Sequence, residues 1–260
     1  MDWPVCVATC VCGKKPKETK NLLPVAIRCF QAQTYPGEKR LLLVTETENA
    51  DKIMHLRNGR DVHVLGVKAS VVLARPWTLG ELRNTALDYI AEQWHGGYAI
   101  QWDADDFHAY QRMAVQMIAC KSDPGIASFL HCQLCYSFPK DVGFVRTLRY
   151  YGGSNPPEGT PTPLHGTICH PVNEIRYPTA PKGEDSVFFE RWKAGYAEID
   201  NSPELYVRFS HGESVTGDAG VMQDHLNDPP GTRAMSAGNA EYLAQVLGCY
   251  STPPCTRQTP

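Results

Sequence analysis

The sequence lacks several features that would at once assign a protein to a class. Its first residues, MDWPVCVATCVCGKKPK, have an early acidic residue and a proline instead of a basic segment followed by an apolar one, so no signal peptide is predicted. No apolar stretch approaches the roughly 20 residues that a membrane helix needs. These absences predict a cytoplasmic protein without an integral membrane segment. The net charge of −3 also disfavours a general nucleic-acid-binding protein, which would usually be more basic.

The cysteines lack the spacing of a recognisable metal site or disulfide scaffold. There are ten in 260 residues, and a chain of this length does not need disulfides to build a core. One segment, His131-Cys132-Gln133-Leu134-Cys135, could contribute zinc ligands, but no second C-x-x-C motif completes it. Buried, reduced thiols are the favoured interpretation, and zinc at this segment stays open.

Short apolar segments alternate with amphipathic ones in the first half of the chain. Strands are predicted at 5–12, 40–45, 62–67 and 98–102, and helices at 22–33 and 79–90. This alternation predicts a mostly parallel α/β sheet flanked by helices. The second half is less regular, with helices predicted at 109–120, 184–193 and 241–247 and strands at 125–130 and 205–209. No repeat or domain boundary interrupts the sequence, so a single domain is expected.

Three aspartates follow the fourth predicted strand in the segment AIQWDADDFH. Asp103, Asp105 and Asp106 lie within four positions, where their charges repel one another. In parallel α/β sheets, ligands bind beyond the carboxyl ends of the strands. A divalent cation, Mg²⁺ or Mn²⁺, would use such carboxylates together with phosphate oxygens. The alternative is an aspartate-rich turn in which one carboxylate caps the following helix.

Three other segments carry candidate residues. In LGELRNTAL, Gly80 permits close backbone approach and Arg83 stands near a helix start, where it could pair with a phosphate or simply be a surface residue. In KGEDSVFFE, Glu184 and Asp185 begin a helix, as N-terminal caps or as a general base. In VRFSHG, His211 follows a strand and is either structural or a metal ligand.

Taken in order, five segments resemble the GT-A glycosyltransferases, especially family 2. They are QAQTYP, LGELRNTAL, QWDADD, GEDSVFFERW and YVRFSHG, and they span most of residues 4–212. The resemblance implies a GT-A, Rossmann-like fold with a mostly parallel central sheet. It also implies a domain at 1–250, with a nucleotide-sugar-binding half at 1–106 and an acceptor-binding half at 107–250. Residues 251–260 are expected to form a flexible tail.

The same resemblance implies an inverting glycosyltransferase of the hexosyltransferase type, with a nucleotide-diphospho-sugar as donor and UDP-sugar favoured. Mn²⁺ or Mg²⁺ would be the cofactor, held by Asp105 and His211, and Asp185 would be the catalytic base. One departure concerns the second strand, which is followed by Glu46 or Glu48 where the family usually has an aspartate. The implied donor-binding residues are Thr9, Glu46, Gly80, Arg83, Asn84, Asp103 and Ala104, and the implied acceptor-binding residues are Trp102, Gly166 and Glu184.

Two other classes of function stay open. A sugar-nucleotide nucleotidyltransferase would use a similar sheet and metal, and the segment CVCGKKPK offers one glycine and three lysines of the basic signature such enzymes carry. A non-catalytic sugar-nucleotide-binding module is the other. The acceptor could be a carbohydrate, a lipid-linked sugar, a protein side chain or a modified nucleic-acid base. The Gly- and Pro-rich loop at 150–166 is expected to help select it.

Overall fold

A computed structural model describes residues 3–12, 22–56, 61–67, 77–123, 125–147, 163–180, 183–192, 195–199, 202–210 and 232–251. The strands of these residues are β1 (Cys6–Val11), β2 (Lys39–Glu46), β3 (Val62–Val67), β4 (Tyr98–Gln101), β5 (Phe107–His108), β6 (Ala127–Leu130), β7 (Cys132–Ser137), β8 (Val142–Thr147), β9 (Cys169–Pro171), β10 (Tyr196–Ile199), β11 (Tyr206–Ser210) and β12 (Thr232–Arg233). The α-helices are α1 (Leu23–Gln31), α2 (Thr47–Ile53), α3 (Leu79–Trp94), α4 (Arg112–Ser122), α5 (Glu184–Glu190) and α6 (Ala237–Ser251).

The central sheet has seven strands in the order β10-β6-β9-β4-β1-β2-β3. The pairs β1–β2, β1–β4, β2–β3 and β6–β10 are parallel, whereas β9 runs antiparallel to both of its neighbours. The predicted mostly parallel α/β sheet is therefore confirmed. Strand β9 was not predicted, because a three-residue strand is too short to show a periodic pattern.

Both faces of the central sheet are covered by helices. Alternate residues of β1 and β2 point to opposite cores: Ala8 and Leu43 pack on the side of α1 and α4, and Val7 and Leu42 on the side of α3 and α5. Burial on both faces explains why these strands read as continuous apolar runs. The helix α5 is fixed to its core by Phe188 and Phe189, which are both buried.

A second sheet has five strands in the order β12-β8-β7-β11-β5, and all of them follow Asp106 in the chain. Strand β11 pairs with β5 through Tyr206 opposite His108 and Val207 opposite Phe107. This pairing brings the start of β11 next to the acidic turn. Among the residues that the structure describes, no helix has both the length and the apolar character required to cross a membrane.

The helix α3 is joined tightly to the segment at residues 177–178. Its first turn has a capping box, in which Thr78 Oγ1 accepts the Glu81 N–H at 3.2 Å and Glu81 accepts the Thr78 N–H at 2.7 Å. A β-carbon built onto Gly80 would lie only 2.1 Å from the Pro178 carbonyl oxygen. The glycine thus permits the close approach of another part of the same chain.

We expect the substitution Gly80→Ala to destabilise the protein by about 1–3 kcal/mol, because the added methyl group must push the Pro178 carbonyl away. The matched control is Gly248→Ala in α6, where a β-carbon would meet nothing within 4 Å. There the higher helix propensity of alanine should leave stability unchanged or raise it by up to about 1 kcal/mol. Urea denaturation would measure both variants. Equal stability of the Gly80→Ala variant and the wild type would contradict the packing argument.

Candidate active site

Three segments converge beyond the carboxyl end of β4. They are the acidic turn after Gln101, the short 3₁₀ turn His165–Thr167 and the start of α5. Gly166 lies between the other two, since a β-carbon built onto it would be 3.7 Å from Asp185 Oδ2 and 3.8 Å from Asp103 Oδ2. Two of the predicted acidic residues, 82 positions apart in the sequence, therefore face the same small space.

The guanidinium of Arg83 lies at the centre of this space. It donates to Glu184 Oε1 at 2.9 Å and to Asp185 Oδ1, and its Nη2 is 3.7 Å from Asp103 Oδ1. We call Arg83, Asp103, Glu184 and Asp185 the carboxylate cluster. Arg83 is 7% exposed, so the interpretation of Arg83 as a surface residue is wrong. A donor diphosphate would meet an arginine that already pairs with carboxylates.

The two adjacent acids of α5 have different surroundings. The side chain of Glu184 is 8% exposed, whereas that of Asp185 is 28% exposed. Burial raises the pKa of Asp185 to about 6, against the opposing effect of the Arg83 charge. Consecutive positions on a helix point in different directions. Asp185 is consequently the acid of this pair that a bound molecule can reach and that can exchange a proton near neutral pH.

Asp103 connects the carboxylate cluster to two neighbouring side chains. Its Oδ1 accepts from Gln101 Nε2 at 3.3 Å, and its Oδ2 lies 3.2 Å from the Tyr206 hydroxyl oxygen. Burial raises the pKa of Asp103, Arg83 lowers it, and the nearby charge of Asp105 raises it again, with a net upward shift. A cation close to Asp103 and Asp105 would relieve their mutual repulsion.

The third aspartate of the turn is structural. Asp106 is buried and accepts the Phe209 N–H at 2.9 Å and the Tyr206 hydroxyl. It thereby fastens β11 to the acidic turn, so one of the three aspartates does satisfy a backbone N–H, as the capping alternative proposed. The N–H belongs to a strand about 100 residues later and not to the next helix, which no local pattern could have indicated.

The acidic turn offers a metal ion two carboxylates, those of Asp103 and Asp105, because Asp106 is buried. Among the described residues, no three His, Cys, Asp or Glu side chains form a group that could hold a metal ion. Asp103 and Asp105 are partly exposed and stand in one turn, and Mg²⁺ commonly binds one or two carboxylates together with substrate phosphates. These two residues fit such an ion. His211, the predicted second ligand, lies outside the described residues, as does most of the predicted loop at 150–166.

Several predicted site residues have contacts of their own within the fold. Asn84 exchanges hydrogen bonds with the backbone of Tyr177, donating at 2.9 Å and accepting at 2.7 Å. Like Gly80, it holds α3 against residues 177–178. The Thr9 hydroxyl donates to the Ile100 carbonyl at 3.4 Å, and Glu46 accepts the Trp77 N–H at 3.2 Å. Both stand at or near the carboxyl ends of strands.

Trp102, a predicted acceptor contact, has its side chain in the hydrophobic core. Its ring is fully buried, and its indole N–H donates to the Ala26 carbonyl at 3.1 Å. An acceptor could touch this ring only if the ring left the core. Ala104 is buried as well. Cys132 and Cys135 of the possible zinc segment are buried thiols.

Several polar residues shape the site although no sequence motif predicted them. Tyr177 stacks on Phe188 with centroids 3.7 Å apart and lies under Arg83, whose Cζ is 5.2 Å from its ring centroid. Tyr206 and Gln101 bind Asp103 directly. A signal existed for one more: Arg112 precedes Gln116 and Cys120 by four and eight positions, which places it on the buried side of α4, and an arginine there indicates a buried polar contact.

The fold is similar to that of TarS from S. aureus. A crystal structure of TarS 1-349 matches with a TM-score of 0.54 at 14% identity, covering 80% of this chain and 60% of that one. The complex of TarS 1-349 with UDP-GlcNAc matches with a TM-score of 0.54 at 13% identity, over 82% and 60%. The complex with UDP matches with a TM-score of 0.53 at 14% identity, over 95% and 71%.

This chain thus spans about 60% of the length of the first two of these TarS structures. At such low identity the likeness concerns the fold. It confirms the predicted GT-A architecture, since TarS is of the GT-A type. No family model matches the sequence, and the search of curated proteins finds no match either.

We expect the substitution Arg83→Met to lower the free energy of unfolding at pH 7 by about 3 kcal/mol, because it leaves buried carboxylates without their cation. Without the Arg83 charge, which lowers it, the pKa of Asp185 rises further in the folded state. The folded variant then takes up protons at a higher pH than the unfolded chain does, so its deficit should shrink as the pH falls from 7 to 5. Urea denaturation at both pH values measures this.

The control for this experiment is Asp88→Asn. Asp88 pairs with Arg176 at 2.9 Å on the exposed surface, and removing such a pair should cost no more than about 1 kcal/mol. If the Arg83→Met variant behaves like this control, or if its deficit is the same at pH 5 and pH 7, Arg83 does not hold the carboxylates together as the geometry indicates.

Proposed function

We propose that the protein is a metal-dependent glycosyltransferase that moves one sugar from a nucleotide-diphospho-sugar, most simply a UDP-sugar, to an acceptor hydroxyl with inversion. The observation that carries this proposal is the placement of Asp185: a partly exposed carboxylate, held by Arg83 and facing Asp103 across Gly166, in a fold of the GT-A type. The complexes of TarS with UDP and UDP-GlcNAc support UDP as the nucleotide.

Asp185 is suited to the role of general base. In a single displacement, the acceptor oxygen forms a bond to the anomeric carbon as the bond to the diphosphate oxygen breaks, and the hydroxyl proton passes to a carboxylate. A base with a pKa of about 6 is ionised at neutral pH and still more basic than an ordinary aspartate at about 3.9. Glu184 is more deeply buried, so we propose that it holds Arg83 in place and forms part of the wall of the acceptor pocket.

The leaving diphosphate needs positive charge. Mn²⁺ or Mg²⁺, when bound, would neutralise charge on the departing phosphate oxygens. Asp103 and Asp105 would hold the ion, with His211 as a further candidate ligand. Thr9, Glu46 and Ala104, which stand near, at or just beyond strand ends, would border the donor, whereas Gly166 would border the acceptor. Arg83 is within reach of Asp103 and could share the diphosphate charge without leaving Asp185.

A screen of nucleotide sugars tests this proposal most directly. Thermal denaturation with UDP-, GDP- and CDP-sugars, each with and without Mn²⁺, should show a raised melting temperature for one nucleotide class only when the metal is present. Incubation of that donor with candidate acceptors, followed by NMR of the anomeric signal, identifies the product. A nucleotidyltransferase would instead release pyrophosphate from a nucleoside triphosphate and a sugar phosphate. A binding module would show the thermal shift without a product.

The substitution Asp185→Asn keeps the shape of the side chain and removes its basicity. We expect turnover to fall by roughly a hundred- to ten-thousandfold while donor affinity changes little. In the wild type, kcat/KM should rise with pH through about 6, because Asp185 must lose its proton before it can act. The control Glu184→Gln should retain much more turnover. A product that keeps the anomeric configuration of the donor, or normal turnover in Asp185→Asn, would refute the assignment.

The substitution Asp105→Ala should remove the part of UDP affinity that depends on Mn²⁺ and leave the fold intact, because the side chain is partly exposed. Isothermal titration calorimetry of UDP with and without Mn²⁺ measures this difference. The comparison variant is Asp106→Asn, whose buried side chain holds Phe209 and Tyr206, so its main effect should be on stability. Unchanged Mn²⁺-dependent affinity in Asp105→Ala would show that the ion binds elsewhere.

A further inference from the structure

A second arginine is buried directly behind the acidic turn. Arg112 begins α4 and has no exposed surface. Among the described residues its hydrogen-bond partners are all uncharged: Gln116 Oε1 at 3.0 Å, the carbonyl oxygens of Gln101 at 3.0 Å and Thr167 at 3.3 Å, and the ring of His108. Burying a cation without a carboxylate in hydrogen-bond contact is costly. Core packing alone does not account for an arginine at this position.

The contact with Arg112 fixes the tautomer of His108. A guanidinium can only donate, so Nδ1 of the imidazole must accept. The proton of the neutral ring therefore resides on Nε2, which donates to the Asp103 carbonyl at 3.1 Å. The ring itself is held by stacking on Trp102, with centroids 3.8 Å apart. His108 thus transmits the position of Arg112 to the backbone of Asp103.

These contacts join two of the three segments that form the site. Arg112 binds the carbonyl of Gln101 directly and that of Asp103 through His108, so it holds the backbone on both sides of Trp102. The same guanidinium binds the carbonyl of Thr167, the residue after Gly166. Gln116 reinforces this second attachment, since its Nε2 donates to Thr167 at 2.7 Å.

We infer that Arg112 and His108 are positioning residues, which set the Asp103 carboxylate at its distance from Gly166 and hence from Asp185. The expected effect on turnover rests on the proposed glycosyl transfer, whereas the expected effect on the position of Asp103 does not. Displacement of reacting groups by about 1 Å can cost a hundredfold in rate. A turn that carries three mutually repelling aspartates needs such an anchor more than most turns do.

Paired variants of His108 separate positioning from simple stability. His108→Gln can keep both contacts, an acceptor for Arg112 and a donor for the Asp103 carbonyl, whereas His108→Asn can keep only an acceptor for Arg112 and His108→Leu keeps neither. The matched control is Gln33→Leu. Gln33 is also buried, accepts the Met113 N–H at 2.9 Å and donates to the Ala109 carbonyl at 2.7 Å, so it anchors the same end of α4 without touching the site.

Two readouts are needed. Hydrogen–deuterium exchange of residues 101–106 should be at least tenfold faster in His108→Leu and His108→Asn than in Gln33→Leu, and close to wild type in His108→Gln. With the donor found by the screen, kcat/KM should fall ten- to a hundredfold in the same two variants, largely through kcat, and His108→Gln should restore most of it. If His108→Leu does not fold, the contrast between His108→Asn and His108→Gln carries the test.

The outcomes distinguish this inference from the proposed function. Suppose that residues 101–106 exchange faster in His108→Leu and His108→Asn, and that the wild type transfers no sugar. This result would support the positioning role of His108 and refute the transfer activity. Equal exchange rates in the His108 and Gln33 variants would overturn the anchor, whatever the activity. Normal kcat/KM in His108→Asn, despite faster exchange in the turn, would overturn its catalytic importance.

Discussion

The candidate site depends on one interaction, the burial of Arg83 among carboxylates. Asp103, Glu184 and Asp185 come from two segments about 80 residues apart, and α3 supplies the cation between them. Without that charge, these acids would repel one another in a setting where water cannot screen them fully. The electrostatic contact also has a packing counterpart. Gly80 and Asn84 bring residues 177–178 against α3, and Tyr177 stacks under both Arg83 and Phe188 of α5.

The two buried arginines stabilise the site through different kinds of contact. Arg83 contacts side-chain carboxylates, so it controls charge, whereas Arg112 contacts carbonyl groups and a histidine, so it controls the path of the backbone. Gln101 belongs to both networks. Its carbonyl accepts from Arg112, its side-chain amide donates to Asp103, and its Oε1 lies 3.5 Å from the Tyr177 hydroxyl. A change at either arginine would therefore be expected to reach Asp103.

Local patterns were sufficient for the fold's first half and for the identity of the acids, but not for their partners. The apolar runs of β1 to β4 and the spacing of α3 predicted the sheet, because burial on both faces leaves a continuous signal. They could not predict β9 or the pairing of β11 with β5, which depend on contacts between distant segments. The same limit applies to the side chains. Nothing near Asp106 in the sequence indicates the Phe209 N–H, and nothing near Arg83 indicates Glu184.

The balance between burial and Arg83 has a consequence for the proposed chemistry. Burial raises the pKa of Asp185, and a carboxyl that stayed protonated at neutral pH could not accept a proton. Full exposure would leave it near 3.9, where it is a poorer base. The observed contact with Arg83 opposes the burial and leaves the pKa at about 6. An arginine suits this task because it remains charged even when buried, whereas a lysine in the same place could lose its proton. The cation that assembles the cluster is thus also the group that keeps the more accessible of the two acids of α5 both ionised and basic.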